Sequence, residues 1–500
     1  MSRSSARLAS CIAILGAAVL GVCSTLGPIP GVDLWWQMAA GKIIWTTGAV
    51  PTTDPFSYTA RGHPWLVHEW AADLLFYLIY TRLGPTWLVA LKVLVEGTAL
   101  LVTLLLALRW SSSPWLAAIC AGMAAVGGRY FWDIRPQMFS YLFLAVLLVL
   151  VDDFRSRGKV WPLWVIPLLM LLWANLHGGF LLAPLVLLAY LFGDSVDYLL
   201  RRNLVRKDSY LLAIPLVAGS LLALLNPNGY HLWLYPLKLT GHPQVLGFVM
   251  EWLSPDFHDP NYRLFELIAL LLVPAMAWSK RQQPTAHLIL AIASLHFALF
   301  SVRHVPIFLL IATPILAGAL GEALHAAAPQ AARSPLQSVT AGVLLAALGL
   351  IQVRPVLGKR LFEYEIDMRS LPVRAVAFMK RAKLPGPIWN EYRWGGYLIW
   401  HAPEYPVFID GRAEVYYGGP FEDFVQMHRV KPNWEALMFR YGVRTALVDN
   451  RMMIARVMER SPYWRIAYRD SGATLFVRNE AVRTPPISTD AIQRRHRAGK

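Results

Sequence analysis

The chain has 500 residues, of which 56% are hydrophobic and 16% are charged, and its mean hydropathy is +0.42. These values exclude an ordinary soluble globular protein and indicate a polytopic membrane protein. The net charge of +16 could suggest a nucleic-acid partner, but the basic residues lie between apolar segments rather than in one patch, so none is expected. All three cysteines fall within apolar stretches, which indicates no disulfide framework.

The N-terminal segment has the pattern of either a signal peptide or a membrane anchor. Arg3 and Arg7 precede an apolar run that begins near residue 8. No A-x-A cleavage site follows it, and Leu20-Gly21-Val22-Cys23 is a poor lipobox. We therefore interpret this segment as a retained anchor.

Apolar stretches of about 17 to 25 residues, the length that crosses a bilayer as a helix, recur about eleven times. They begin near residues 8, 85, 114, 137, 161, 179, 209, 263, 285, 305 and 336. With the N-terminus in the cytoplasm, the short cytoplasmic loops carry about twice as many basic residues as the opposite loops, as the positive-inside rule requires. An odd number of spans then places the C-terminal region outside.

The predicted fold is an α-helical polytopic membrane domain over residues 1–352, followed by an extracytoplasmic α/β domain over residues 353–500. Long outer loops are predicted in the membrane domain at residues 28–84 and 226–262. In the C-terminal domain, strands are predicted at 387–390, 406–410 and 443–449, a hairpin at 465–468 and 474–477, and helices at 373–382, 421–428 and 434–441.

Polar side chains are costly at membrane depth, and in this chain they gather at the outer ends of the predicted spans. They are Arg129, Asp133, Arg135, Asn175, His177, Asn226, Asn228, Arg303 and His304, and the first outer loop adds Asp33, Asp54, His63, His68 and Glu69. As a set they predict one polar cavity that opens outward. The alternative is that each side chain snorkels to the outer headgroups or caps a helix end.

The first outer loop is rich in tryptophan. Trp35, Trp36, Trp45, Trp65 and Trp70 are typical of interfacial helices, so the loop is predicted to lie along the membrane surface. Asp33 follows the first span and starts such a helix, so it is a candidate either for chemistry or for an N-cap.

Several motifs resemble those of one family. They read D-x-W-W, G-x-x-P-x-x-D-P-F-S, W-x-x-H-E-W, R-P-Q, N-L-H-G-G-F and R-H-x-P, and they stand at residues 33–36, 48–57, 65–70, 135–137, 175–180 and 303–306. The C-terminal region adds Trp394-Gly395-Gly396-Tyr397 and Phe408-Ile409-Asp410-Gly411-Arg412. Together with the span pattern, they resemble the GT-C class of membrane glycosyltransferases, and most closely bacterial GT-C-like proteins.

The resemblance implies a glycosyltransferase of the bacterial cytoplasmic membrane that moves a sugar from a polyprenyl-phosphate donor to a cell-envelope glycan, lipid or protein acceptor. The acceptor hydroxyl needs a general base, for which Asp33 is the first candidate and Asp54 the second. The departing lipid phosphate accumulates negative charge, which Arg, Lys or His side chains must stabilise, and the candidates are Arg129, Arg135, His177, Arg303 and His304. Further site candidates are Trp36, His68, Glu69, Asn175, Asp410 and Arg412.

Some of these candidates also have simpler interpretations. Asp54 in Asp54-Pro55 is typical of a turn. Asp410 and Arg412 either form an internal ion pair that holds the turn at Gly411 or lie near an interface that selects the acceptor.

No cofactor is certain from the sequence. The first outer loop contains no D-x-D or E-x-D pair of the kind that holds a metal in other members of the class. A divalent cation is possible through Asp33 together with Asp54 or Glu69, but none is predicted. Nucleotide-binding glycine loops are absent, as suits a lipid-linked donor.

Two other function classes remain open from the sequence. A transporter or flippase for an envelope lipid or glycan would have ionisable residues near the middle of broken spans. A noncatalytic membrane scaffold would tolerate the loss of Asp33 and Asp54. The one-sided distribution of polar residues speaks against the transporter.

Overall fold

The computed structural model describes residues 3–27, 32–200, 208–240, 247–279, 282–357 and 370–480. Its helices, in chain order, are α1 (Arg3–Thr25), α2 (Leu34–Thr47), α3 (Trp70–Arg82), α4 (Pro85–Trp110), α5 (Pro114–Gly127), α6 (Gln137–Arg157), α7 (Pro162–Leu176), α8 (Leu182–Leu199), α9 (Ala213–Leu222), α10 (His231–Thr240), α11 (Arg263–Trp278), α12 (Thr285–Phe300), α13 (Val305–Ala327), α14 (Pro329–Ala332), α15 (Pro335–Leu357), α16 (Val373–Arg381), α17 (Gly395–His401), α18 (Pro420–His428), α19 (Trp434–Arg440) and α20 (Met453–Arg460).

The chain divides into two compact units. Unit 1 comprises residues 1–29, 68–240 and 249–364, and unit 2 comprises residues 30–67, 241–248 and 365–500. This division differs from the predicted boundary after residue 352, because half of the first outer loop packs with the C-terminal region. Ser57 and Val407, for example, form a parallel β-bridge.

The apolar helices occur where the sequence predicts them. Within the described residues, seven helical segments are long and apolar enough to cross a membrane, and four shorter apolar segments cover residues 114–127, 162–176, 209–225 and 285–300. The chain is therefore a multi-pass membrane protein. The count of eleven spans stays a prediction, because the shorter segments fall below the roughly 20 residues that a perpendicular crossing needs. The cytoplasmic position of the N-terminus also stays a prediction.

Helices α1 and α15, from opposite ends of unit 1, approach each other through glycine. A Cβ atom added at Gly16 would lie 2.1 Å from the Gly342 carbonyl oxygen, and one added at Gly342 would lie 2.3 Å from the Ile12 carbonyl oxygen. Small residues allow helix backbones to come this close in a membrane, where close packing rather than the hydrophobic effect drives helix association.

We expect Gly342→Ala to lower the melting temperature of the detergent-solubilised protein, because the added methyl group forces α1 and α15 apart at a cost of about 1–3 kcal/mol. Gly97→Ala is the matched control, since a methyl group there meets only Val22, at 3.7 Å. Unfolding is measured by intrinsic fluorescence. Equal melting temperatures for the two variants would contradict this account of the packing.

Unit 2 contains a four-stranded sheet, formed by β1 (Ile388–Asn390), β2 (Thr445–Asp449), β3 (Trp464–Arg469) and β4 (Ala473–Arg478). The strand order is β1-β2-β4-β3, with β1 parallel to β2 and the other pairs antiparallel. Apart from the strand at 406–410, the predicted strands and hairpin are confirmed to within about two residues at each end, as are the helices α16, α18 and α19.

The prediction of a strand over residues 406–410 is wrong. Although Val407, Phe408 and Ile409 are fully buried, their backbone groups bond outside the sheet. Val407 accepts from Tyr58 N at 3.2 Å and donates to Phe56 O at 3.3 Å, while the Asn390 side-chain amide bonds to the backbone of Phe408 and Ile409. An apolar run therefore indicated burial correctly but could not indicate which partner takes its hydrogen bonds.

Two of the three tryptophans of α2 differ from their predicted place at the lipid headgroups, whereas the third, Trp45, is exposed. Trp35 is 1% exposed and packs edge-on against Tyr397 and His401 of α17. Trp36 is buried too and lies edge-on to Trp65, with ring centroids 6.2 Å apart. These indoles form part of the core of unit 2.

Candidate active site

Asp33 immediately precedes α2 and occupies its N-cap position, but its carboxylate makes no capping hydrogen bond. Instead, Trp36 Nε1 donates to Asp33 Oδ1 at 3.2 Å. The backbone of Gly411 lies against the same oxygen, since a Cβ atom added there would be 2.2 Å from it. The capping alternative is therefore wrong for this side chain, and the half-buried carboxylate is held beside an indole N–H.

Asp54 has a different environment, because its carboxylate accepts hydrogen bonds on both oxygens. The backbone N–H groups of Phe56 and Ser57 donate to it at 3.1 and 3.0 Å, and the Ser57 hydroxyl donates at 2.6 Å. Asp54 Oδ1 also forms an ion pair with Arg412 NH2 at 2.8 Å. The turn predicted at Asp54-Pro55 is thus confirmed, and the side chain of Asp54 is completely buried.

Arg412 lies at the centre of this buried cluster. Its guanidinium donates to Asp410 from Nε at 2.8 Å and from NH2 at 2.5 Å, and the Tyr416 hydroxyl donates to the same carboxylate at 2.5 Å. Burial alone would lower the pKa of Arg412, but the carboxylates of Asp410 and Asp54 outweigh it and raise the pKa. Arg412 is therefore a permanent cation that forms ion pairs with two buried carboxylates.

Asp410 and Arg412 thus confirm the internal ion pair that the sequence offered as one alternative. Both side chains are completely buried and do not reach the surface. Their predicted part in selecting an acceptor stays a prediction, and this burial gives it no support.

In unit 1, His177 follows α7 and precedes the Gly178-Gly179 turn. Its Nδ1 lies 2.7 Å from Ser140 Oγ and accepts a hydrogen bond from Gly179 N at 3.1 Å. Trp173 Nε1 donates to Ser140 Oγ at 2.6 Å. Because the indole and amide N–H groups can only donate, the Ser140 hydroxyl must give its hydrogen to His177 Nδ1.

This arrangement fixes the tautomer of His177. With Nδ1 acting as an acceptor, the neutral ring carries its proton on Nε2 and presents Nε2–H as a donor. Burial lowers the pKa of His177 well below its usual value, and the nearby charge of Arg303 lowers it further. His177 is therefore a neutral hydrogen-bond donor rather than a cation at neutral pH.

Arg135 is surrounded by carboxylates. It forms ion pairs with Glu251 and, through Nε at 3.4 Å, with Asp133. Burial alone would raise the pKa of Glu251, but the charges of Arg135 and Arg303 outweigh it and lower the pKa. The charge of Arg135 is thus already balanced within unit 1.

Arg303 lies in the short turn between α12 and α13, and its guanidinium carbon is 5.1 Å from the centre of the Trp252 ring. Ser301 Oγ donates to Glu251 O at 2.8 Å and ties this turn to the second outer loop. Among the described residues no carboxylate forms an ion pair with Arg303. The neighbouring His304 ring lies edge-on to Trp252, and its Nδ1 is buried.

The remaining candidates of unit 1 are Asn175, His68, Glu69 and Arg129, which lie at or just beyond helix ends. Trp70 Nε1 donates to Asn175 Oδ1 at 2.9 Å, which links the first outer loop to α7. His68 stacks on Tyr235 with ring centroids 4.6 Å apart, and its Nε2 is 3.5 Å from a Glu69 oxygen. Arg129 is exposed.

The structure gathers the predicted residues into two sets. In unit 2, Asp33, Trp36, Asp54, Asp410 and Arg412 form one contiguous cluster. In unit 1, Glu251 pairs with Arg135, and Trp252 contacts both Arg303 and His304. The charge of Arg303 also lowers the pKa of His177. The prediction that both sets line one outward-facing cavity stays a prediction. Within the described residues, no group of three or more His, Cys, Asp or Glu side chains has a metal-binding arrangement.

Sequence reasoning missed several members of these sets. Glu251 and Trp252 stand together in the second outer loop, where an acidic residue beside a tryptophan was the available signal. Ser140 carried no signal, because a single serine in an apolar helix usually bonds to its own backbone. Gly411 was visible only as a turn residue, whereas its contact with Asp33 depends on residues far apart in sequence.

No protein-family model and no curated protein matches this chain. Solved structures do. The Archaeoglobus fulgidus oligosaccharyltransferase tethered to an acceptor peptide is 11% identical, with a TM-score of 0.55, over 94% of this chain and 74% of that chain. The same protein without ligand gives a TM-score of 0.52 at 12% identity, over 95% and 74% of the two chains.

A third structure is the archaeal oligosaccharyltransferase AglB from Archaeoglobus fulgidus in complex with an inhibitory peptide and a dolichol-phosphate. It is 12% identical to this chain, with a TM-score of 0.55, over 95% of this chain and 75% of that chain. At such low identity the likeness concerns the fold. The chain accordingly shares its fold with this archaeal oligosaccharyltransferase.

Proposed function

We propose that this protein is a glycosyltransferase that moves a sugar from a polyprenyl-phosphate donor to a cell-envelope acceptor on the outer face of the bacterial cytoplasmic membrane. The fold supports the reaction class, and one structural neighbour holds a dolichol-phosphate while another holds an acceptor peptide. Because one fold can serve several functions, the residue chemistry has to support the assignment as well.

The main support for the proposal is the environment of Arg303. Arg303 is half-buried, lies over an indole ring and forms no carboxylate ion pair in the described part of the chain, so its guanidinium N–H groups can bind an anionic ligand even though its charge also acts on Glu251. A lipid phosphate is such a ligand, and its negative charge grows as the sugar leaves. Arg135, by contrast, already balances Glu251 and Asp133.

The other groups have complementary roles in this proposal. Asp33 accepts the proton of the attacking hydroxyl, and its half-buried carboxylate lies at the start of α2 beside Trp36 Nε1. His177 donates a hydrogen bond from Nε2 to a phosphate oxygen. No nucleotide site and no resident metal is required for these steps.

The test is transfer from a radiolabelled polyprenyl-phosphate sugar in membranes that contain the full chain. We expect Arg303→Ala to weaken donor binding and to lower turnover by about 10²- to 10³-fold, because it removes charge from both the bound and the departing phosphate. Arg263→Ala is the matched control, since this exposed arginine starts α11 outside either cluster. Unchanged donor binding in Arg303→Ala would contradict the proposal.

The neutral state of His177 gives a separate prediction. We expect donor affinity to stay nearly constant between about pH 7.5 and about pH 5.5, because His177 does not gain a proton in this range and a phosphodiester does not titrate there. The measurement is the donor dissociation constant of the wild type and of His177→Gln. Affinity that rises on acidification in the wild type but not in His177→Gln would show a cationic histidine instead.

A further inference from the structure

Gly411 is flanked by two residues whose side chains pair with each other. Asp410 Oδ1 accepts from the Arg412 backbone N at 3.0 Å in addition to its bonds with the guanidinium. The Tyr392 hydroxyl donates to the Gly411 carbonyl oxygen at 2.9 Å. The backbone of this three-residue turn is therefore fixed from both sides.

The turn is also fixed to the first outer loop through Arg412. Besides its ion pair with Asp54, the guanidinium lies between two rings of that loop, with its carbon 4.9 Å from the centre of Phe56 and 4.4 Å from the centre of Trp65. A guanidinium that is paired with carboxylates and flanked by aromatic faces has little freedom to move. Residues 54–65 and 410–412 therefore form one rigid element of unit 2.

This element contacts the Asp33 carboxylate through Gly411. A Cβ atom at position 411 would lie 2.2 Å from Asp33 Oδ1 and 3.0 Å from Trp36 Nε1, which are the two atoms joined by the hydrogen bond described above. Gly411 does not have the positive φ angle that disfavours other residues. A larger residue at this position would therefore force the Asp33 carboxylate to shift, whatever its backbone conformation.

We propose that Asp410-Gly411-Arg412 is a positioning element for Asp33, in which the buried ion pairs of Arg412 hold the Gly411 backbone against the carboxylate and thereby set its direction. The proposal rests on the function proposed above, in which Asp33 is the general base. Neither Asp410 nor Arg412 touches a substrate in it. Both act through Gly411, and this gives the motif a purpose that burial of its charges alone does not explain.

The experiment uses Gly411→Ala in the full chain. The added methyl group displaces the Asp33 carboxylate, and a displacement of about 1 Å can cost about 10²-fold in rate. We therefore expect kcat to fall by about that factor while the KM for the lipid-linked donor changes little. Gly472→Ala is the matched control, because a methyl group in that hairpin meets only Asp470, at 3.7 Å.

A double-mutant cycle separates positioning from general damage to the fold. In an Asp33→Ala background the colliding carboxylate is absent, so Gly411→Ala should cause no further loss of residual turnover and a smaller drop in melting temperature than in the wild type. Equal effects of Gly411→Ala in both backgrounds would overturn the positioning role. If Asp33→Asn keeps full turnover, Asp33 is not the general base and the positioning role fails with it. The proposed mechanism itself fails only if Asp54→Asn and the double variant are also fully active. If Asp33→Asn is inactive but Gly411→Ala is harmless, the proposed function stands and the positioning role fails.

Discussion

Replacing Asp33 by asparagine is expected to lower turnover by about 10²- to 10⁴-fold while leaving donor binding nearly unchanged, because the amide keeps the size of the side chain but cannot accept a proton. The half-buried carboxylate lies beside Trp36 Nε1, and an amide oxygen can accept the same hydrogen bond. The loss should therefore appear in kcat rather than in the folding of unit 2.

The measurement is transfer from a radiolabelled polyprenyl-phosphate sugar in membranes, beside donor binding to the same preparation. Asp256→Asn is the matched control, because this exposed aspartate of the second outer loop pairs only with the exposed His258 among the described contacts. Full turnover in Asp33→Asn would move the role of base to Asp54. Full turnover in both single variants and in the double variant would end the mechanism.

The geometry nevertheless distinguishes these two carboxylates. Asp54 accepts three hydrogen bonds from Phe56 and Ser57 and pairs with Arg412, so its lone pairs are occupied by groups of the protein. Asp33 lies next to an indole N–H and a glycine. A general base needs a lone pair that can reach the acceptor hydroxyl, and the complete burial of the Asp54 side chain disfavours Asp54 for this role.

The apolar helices were predictable because their signal is local. A run of apolar residues between polar ones fixes a helix in a membrane, since no water is available to bond an open backbone. The starts predicted near residues 85, 114, 137 and 285 agree with α4, α5, α6 and α12. The strands β2 and β4 were predictable for a similar reason, because buried strands read as apolar runs bounded by turns.

Partners distant in sequence were not predictable in this way. The segment 406–410 has the composition of a strand, yet its backbone bonds to Phe56, Tyr58 and Asn390. The tryptophans of α2 have the composition of a membrane surface, yet Trp35 packs against α17. In both cases composition indicated burial, whereas the identity of the buried contact depends on the fold of the whole unit.

In the candidate site, too, local sequence features were predictable and contacts between distant residues were not. Motifs that contain a charged residue beside an aromatic one, such as Asp33 with Trp36 and Arg303 with His304, were visible in the sequence. The protonation state of His177 was not, because it depends on Ser140 and Trp173 from two other helices. The sequence offers His177 only as a candidate for binding the donor phosphate, and its hydrogen bonds show that it would do so as a neutral donor.

The largest expected loss of stability belongs to Arg412→Met. Methionine fills much of the volume between Phe56 and Trp65 but leaves Asp54 and Asp410 buried without a counter-charge. Removing one partner of a buried ion pair typically costs about 3–5 kcal/mol. We therefore expect a markedly lower melting temperature for unit 2 and early proteolysis within it, while the helices of unit 1 stay protected.

Arg444→Met provides the matched control, because Arg444 pairs with Glu480 at the surface and both side chains are largely exposed. Exposed pairs contribute about 0–1 kcal/mol, so this variant should unfold close to the wild type. Adding Asp54→Asn and Asp410→Asn to Arg412→Met should recover part of the stability, since no buried charge then lacks a partner. If the triple variant is no more stable than Arg412→Met, the unpaired buried carboxylates are not what destabilises Arg412→Met, and the ion-pair account is wrong.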